Sequence, residues 1–272
     1  MVLDTIHQER FQDLSVREIY ATLLDEGTFL CSISTMYRIL LSVGETQERR
    51  SIAKHPPRVK PELIATAPNE VWSWDITKLA GPARWEWYHL YVILDIYSRF
   101  VIGWRLEYHE DGVMAEELFA EAIFRENIDP QRLSVHADNG SAMTAKTLGQ
   151  LFIDLNITRS HSRPHVSNDN PFSESQFKTL KYGPTYPERF ASIAEARSWC
   201  GTFFTWYNER HHHTGLGLLT PAEVHAGLGE ERRAARRHVL HAAYAAHSER
   251  FVRGMPQPPK LPTVVAINPP DL

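Results

Sequence analysis

At Val71-Trp72-Ser73-Trp74-Asp75 the chain takes on a strand rhythm: an aromatic run closes on a carboxylate, the pattern of a buried strand ending in an acid. Leu133-Ser134-Val135-His136-Ala137-Asp138 repeats the pattern, and Asn139-Gly140 follow at once as a turn. A third acid, Glu174, lies within residues 170–181, Asn-Pro-Phe-Ser-Glu-Ser-Gln-Phe-Lys-Thr-Leu-Lys, which read as the opening of a helix. Thirty-five residues separate Asp138 from Glu174. Carboxylates on two adjacent strand ends, faced by one from a helix, would hold two hard divalent cations through oxygen. Two such ions roughly 3.5–4 Å apart activate an attacking oxygen and stabilise the leaving oxygen of a phosphodiester. Asp75, flanked by Trp72 and Trp74, needs such a cation, because an unpaired buried charge costs several kcal/mol.

Outward from this run the strand signals continue. Residues 85–96 and 99–108 are apolar runs joined by a short turn, so three antiparallel strands open the domain. Residues 110–127 form an amphipathic helix with Val113, Leu118, Ala122 and Ile123 on its apolar side. A fourth strand at 133–138, a helix at 144–155 and a short fifth strand at 157–160 follow. The class is α/β. A helix ends at 205–210, Thr220-Pro221-Ala222-Glu223 caps a short one, and residues 230–250 form a basic helix. The Pro-rich end, 254–272, is expected to be extended and without fixed structure.

The N-terminal forty-four residues read differently. Ser15 with Glu18 makes a capping box for a helix over 15–25, and Glu26-Gly27 breaks it. A second helix starts near Ser32 or Ser34, giving a helix-turn-helix in which Ser34, Thr35 and Arg38 are the candidate DNA contacts. Residues 45–68 are polar and Pro-punctuated, a linker. The expected organisation is therefore 1–44 as a DNA-binding module, 45–68 as linker, 69–228 as catalytic core, and 229–272 as basic helix and tail.

Composition is that of an ordinary globular chain, with 43% hydrophobic and 23% charged residues. No apolar run is long enough for a membrane span and no signal peptide opens the chain, so the expected location is the cytoplasm. Cys31 and Cys200 are expected to be small buried hydrophobes. The net charge of −4 hides an asymmetry: residues 61–160 carry eight Lys/Arg against fifteen Asp/Glu, and residues 161–272 thirteen against ten. An acidic core with a more basic final third suits a protein that meets nucleic acid mainly through its later segments.

Six words in order carry a resemblance: Trp74-Asp75-Ile76-Thr77; Leu94-Asp95-Ile96-Tyr97-Ser98-Arg99 with Gly103-Trp104; His136-Ala137-Asp138-Asn139-Gly140; Ser160-His161-Ser162-Arg163-Pro164; Asp169-Asn170-Pro171-Phe172-Ser173-Glu174; and Tyr207-Asn208 with Arg210-His211. Together they resemble the integrase-like DDE transposases of bacterial insertion sequences, the group whose catalytic protein comes from a second reading frame. The resemblance implies a ribonuclease-H-like core with a mixed five-stranded sheet. It implies Asp75, Asp138 and Glu174 as catalytic ligands of two Mg2+ or Mn2+ ions, with Asp75 bridging them. It further implies cleavage at element ends, strand transfer of the 3′-hydroxyl, and partners in terminal-repeat and target DNA. A homodimer or larger assembly and an upstream first-frame protein complete the implied set. Two other readings stand beside it: an idle DNA-binding regulator derived from such an enzyme, and a ribonuclease-H-like nuclease acting on RNA–DNA hybrid.

Several further residues are candidates for DNA. Asn170, Lys178 and Lys181 share a helical face with Glu174, and Arg163 and His165 sit in the polar segment before it. Arg232, Arg233, Arg236 and Arg237 make a basic stripe for phosphates. Asp95 is expected to pair with Arg99 rather than bind metal, and His211, His212 and His213 to form a helix exit.

Overall fold

The computed structural model describes residues 2–11, 14–45, 60–138, 140, 142–163 and 169–269. It divides into two compact units, Met1–Arg58 and Val59–Leu272. In the first, α1 (Val2–Ile6) and a 3-10 turn precede α2 (Val16–Asp25) and α3 (Ile33–Ser42). Both halves of the capping box at Ser15 form: Ser15 Oγ accepts from Glu18 N at 3.3 Å and Ser15 N donates to Glu18 Oε2 at 2.7 Å. Ser32 caps α3 through Thr35 N. Ile6, Phe11, Ile19, Leu23, Met36 and Leu40 bury together as one small core. The helix pair is as expected; α1, which completes its core, was not read from the sequence. Cys31 is only partly buried at the edge of this core, whereas Cys200 is fully buried in the larger unit.

The second unit is built on a five-stranded sheet in the order β4-β3-β2-β5-β6. Its members are β2 (Val71–Ala80), β3 (Trp87–Asp95), β4 (Val101–Glu107), β5 (Ser134–Ala137) and β6 (Thr158–His161). Strands β2, β3 and β4 form an antiparallel meander, and β5 and β6 add in parallel. With α4 (Gly112–Glu126) and α5 (Lys146–Asp154) on one face and α6 (Pro171–Lys181) and α7 (Ile193–Glu209) on the other, this is a ribonuclease-H-like fold. β3 has one continuous apolar run because both its faces are covered: Tyr91 and Ile93 pack under α4, Leu90, Val92 and Leu94 under α6 and α7. The first face is aromatic at its centre, where Phe119 meets Trp74 and Phe152 edge-on at 5.4 and 4.9 Å.

β4 is an edge strand, yet its outward backbone is occupied. Asn208 of α7 accepts from Val101 N at 2.9 Å and donates to Val101 O at 3.1 Å. Arg125 of α4 reaches the Ile102 carbonyl, and Arg197 of α7 donates twice to Leu106 O, at 3.1 and 2.8 Å.

A hydrogen-bonded ring ties the next short helix, α8 (Pro221–His225), to the sheet. Buried Asp95 accepts from Ser98 N and Oγ at 2.7 Å each and from Asn69 N at 2.7 Å. Ser98 Oγ meets His225 Nδ1 at 3.0 Å, His225 Nε2 meets Glu126 at 2.9 Å, and Asn69 Nδ2 donates to the same Glu126 oxygen at 3.3 Å. Asp95 thus ties the end of β3 to Ser98 and Asn69; contrary to expectation, the Arg99 side chain makes no ion pair with it among the described residues. The Arg99 side chain bonds the Ile96 carbonyl and lies over the Phe172 ring at 3.9 Å.

Two expectations for the chain outside the core need correction. The segment 45–68 is not wholly linker: residues 46–59 lie outside the described residues, and Leu63–Ala65 form a strand, β1. The Pro-rich end is not without structure. After α9 (Gly229–Ala246) it runs back over the unit, where Tyr97 hydroxyl donates to Pro262 O at 3.2 Å, and ends in β7 (Val265–Ile267), antiparallel to β1. Gly217 lets it pass, since a Cβ there would stand 2.9 Å from Lys260 O. Val265 and Ile267 bury against Ala65, Val71 and Ile96, which is why so polar a segment is held.

Candidate active site

Asp75 does not end its strand. β2 continues to Ala80 beside β3, but β5 accompanies it only through the pair Trp74–Ala137. The next residues on the two strands are Asp75 and Asp138, so both acids leave the parallel ladder at the same level. Trp72 and Trp74 point into the α4 core and are fully buried. By the two-residue period of a strand, Ser73, Asp75 and Thr77 make a polar row on the opposite face, towards α6.

α6 lies along that row. Buried Ser73 Oγ donates to Asn170 Oδ1 at 2.5 Å and meets Ser173 Oγ at 2.7 Å, which fixes the helix's first turn. Two turns on, Lys181 Nζ donates to Thr77 Oγ1 at 2.6 Å. Glu174 stands between these anchors, half-buried like Asp75 and Asp138. Burial pushes the Asp75 carboxyl up to about 7; the Ile76 N–H bond opposes the shift, and the charges of Asp138, Glu174 and Glu110 add to it. Burial holds the Lys181 ammonium below the usual lysine range, against the pull of Asp75. Asp75 thus lies within reach of the charges of Asp138 and Glu174. The arrangement is open, for among the described residues no three His, Cys, Asp or Glu side chains form a ready-made metal group.

A second layer aims Asp138. Ser162 Oγ donates to Asp138 Oδ1 at 2.5 Å and meets His136 Nε2 at 3.2 Å, and His136 Nδ1 meets Ser160 Oγ at 3.1 Å. Burial keeps the His136 imidazole below its ordinary pKa. The sequence reading missed Ser73, Ser162 and Thr77 as parts of the site. The alternation Ser73-Asp75-Thr77 was the available signal for two of them; Ser162 stood inside a quoted word, but its bond to Asp138 depends on a partner distant in sequence.

The other candidates scatter. Asn170 is 1% exposed and its oxygen is taken by Ser73, so it clamps the start of α6 to β2; its Nδ2 has no hydrogen-bond partner among the described residues. Arg163 is also occupied: its Nε and Nη2 donate to the buried Asp169 carboxylate at 3.0 Å each. Lys178 is exposed, and His165 lies outside the described residues. Ser34 and Arg38 are exposed one turn apart on α3, and Thr35 is half-buried. Two arginines of the stripe tie α9 to the preceding segment, Arg232 through Glu223 at 2.7 Å and Arg236 through the carbonyls of Gly217 and Leu218, while Arg233 pairs with Glu230 at 3.3 Å within α9 itself. Arg237 is half-buried. His213 caps the turn after α7 through Gly215 N, and His211 stacks on Tyr207, so the three histidines are a helix exit as expected.

Two family models, both described as integrase core domain, match residues 65–167 and 155–221, together more than half of the chain. The chain is 31% identical over 170 residues to the transposase for insertion sequence element IS904 of Lactococcus lactis subsp. lactis, covering 60% of this chain and 66% of that protein. It is 22% identical over 248 residues to the transposase for IS629 of Shigella sonnei, covering 86% and 82%. To transposase InsF for IS3A of Escherichia coli K12 it is 29% identical over 166 residues, covering 60% of this chain and 56% of that protein. Among solved structures, the HTLV-2 integrase catalytic core domain in complex with magnesium matches 58% of this chain and 97% of that one, at 17% identity and a TM-score of 0.44.

Proposed function

We propose, for a chain that belongs to the integrase-like DDE transposases, that it cuts DNA at the end of a mobile element and joins the freed 3′-hydroxyl to another phosphodiester. The observation that supports this most is the β2–β5 register, which puts Asp75 and Asp138 at one level while Ser73 pins the helix that bears Glu174. When bound, a pair of divalent cations, magnesium or manganese, supplies the charge that activates the attacking oxygen and stabilises the leaving one. Asp75, Asp138 and Glu174 are the residues that would hold them. The donor set fits, because three carboxylates are hard oxygen ligands and Asp75 sits half-buried among like charges that a cation relieves.

The chain's own groups do the positioning. Ser162 fixes the rotamer of Asp138, and Ser73 with Ser173 fixes the pitch of α6. Lys181 places an ammonium beside Thr77 at the rim of Asp75, where it offsets phosphate charge. Trp72 and Trp74 keep water from the rear of the site. DNA is the partner this reading requires. Ser34, Thr35 and Arg38 serve base edges, while Lys178 and Arg237 serve phosphates. Joining strands needs two element ends, so a dimer or larger assembly belongs to the reading, with an upstream first-frame protein contributing end recognition. No described helix is long and apolar enough to cross a membrane, and the proposed place of action is the cytoplasm, on the nucleoid.

The test uses labelled duplexes from the DNA that flanks the protein's own gene. Nicking and joining are expected in magnesium and little turnover in calcium, whose looser coordination suits in-line transfer poorly. Asp75→Asn, Asp138→Asn and Glu174→Gln should each abolish both reactions. Full activity in any one of them removes that residue from the site. Tight binding with no cleavage points to a regulator, and preferential cutting of RNA–DNA hybrid to a ribonuclease H.

A further inference from the structure

We propose that β7 and Asn268 form a latch that sets the position of Glu174, so that the C-terminal strand is a working part of the active site. The inference rests on the three carboxylates being that site.

Two contacts of different kind converge on the first turn of α6. The first is apolar. Val265 and Ile267 are buried with Ala65, Val71 and Ile96, and Phe172 packs on that cluster. Phe172 is two residues before Glu174, hence on a different side of the helix, so holding it fixes helix rotation without crowding the acid. Arg99 lies over the same ring at 3.9 Å. The second contact is polar. Directly after β7, Asn268 adopts φ +49 and its Nδ2 donates to Asp169 Oδ1 at 2.7 Å.

Asp169 is the hub. Its carboxylate is fully buried and also accepts Arg163 N at 2.8 Å and Arg163 Nε and Nη2 at 3.0 Å each. Arg163 follows Ser162, whose hydroxyl holds Asp138, and Asp169 precedes Asn170, where α6 is clamped to Ser73. One buried carboxylate therefore joins the strand end that aims Asp138 to the helix start that aims Glu174, and the C-terminal strand supplies its fourth donor. Asn268 touches none of the three acids. It is a positioning residue.

The variants are Asn268→Gly, which deletes the donor while suiting the positive φ, and Asn268→Asp, which sets a like charge against Asp169 at the same size. Val264→Ala, at an exposed neighbour, is the control. Tb3+ is the probe, its emission sensitised by Trp74 beside Asp75. Wild-type protein should bind Tb3+ in a manner lost in Asp75→Asn. Both Asn268 variants should raise the half-saturating Tb3+ concentration several-fold and slow nicking about tenfold or more in magnesium, with manganese restoring much of the rate. Amide exchange at residues 172–175 should quicken while α4 is unchanged, which keeps the test informative if either variant is less stable. Unchanged Tb3+ affinity and nicking in Asn268→Gly overturn the latch and leave the site reading standing. Absence of Asp75-dependent Tb3+ binding in wild-type protein overturns the site reading, and the latch with it.

Discussion

Asp75→Asn should make the catalytic unit more stable while destroying its activity. In the folded protein the Asp75 carboxyl is raised to about 7 by burial and by the charges of Asp138, Glu174 and Glu110, against an ordinary value of 3.8. A folded pKa above the unfolded one means that ionisation opposes folding. The penalty is absent below about pH 4, grows between about 4 and 7, and is complete above about 7. Three units correspond to about 4 kcal/mol at 1.36 kcal/mol each; Asp75 is only partly buried, and solvent screening reduces this to about 2–4 kcal/mol. For a unit of this size that is roughly 4–16 °C in melting midpoint. Asparagine keeps the shape without the charge and so escapes the penalty. The assay is calorimetric melting in EDTA at pH 4.5 and pH 8. The variant should lead by several degrees at pH 8 and by much less at pH 4.5. Millimolar magnesium should raise the wild-type midpoint and narrow the gap at pH 8, because a ligand that binds only the folded state stabilises it. Equal midpoints at pH 8, or an equal gap at both pH values, would refute the electrostatic account of the site.

Three smaller perturbations probe other parts. Ser162→Ala removes the hydroxyl between His136 and Asp138 and should slow nicking roughly 10–100-fold for a stability loss of only about 1–2 kcal/mol; an unchanged rate argues against a role in aiming Asp138. Phe119→Ala empties the space between Trp72, Trp74 and Phe152 and should cost about 3–5 kcal/mol in urea unfolding, whereas a loss under 1 kcal/mol would mean the cluster repacks. Ser15→Ala should lower the stability of the N-terminal unit by about 1 kcal/mol and leave the catalytic unit's transition where it was.

The catalytic sheet was legible because its signals are local. The aromatic run before Asp75, the apolar run of β3 and the capping residues at Ser15 and Thr220 each state their element within a few positions. The three acids were singled out by their order and spacing, and the β2–β5 register brings two of them to one level. What could not be read depends on partners distant in sequence. Arg163 looks like a phosphate ligand until Asp169 is seen to occupy its fork, and Asn170 looks like a contact until Ser73 is found against it. Arg236 belongs with these, since its acceptors are backbone carbonyls that carry no sequence signature. The C-terminal strand was hidden for a related reason: Val265-Ala266-Ile267 is too short to announce itself among prolines, and only pairing with β1 makes it a strand.

The occupied edge of β4 has a consequence for how copies of this chain meet. A row of unspent carbonyls is a template on which a second sheet can grow, the route by which edge strands recruit their own kind into aggregates. Asn208, Arg125 and Arg197 stopper that row at Val101, Ile102 and Leu106 from two different helices. A neighbouring molecule cannot splice its backbone onto this edge without first evicting three side chains. A copy approaching this edge would meet side chains first at those positions, and side chains are selective about partner and register where a bare backbone is not.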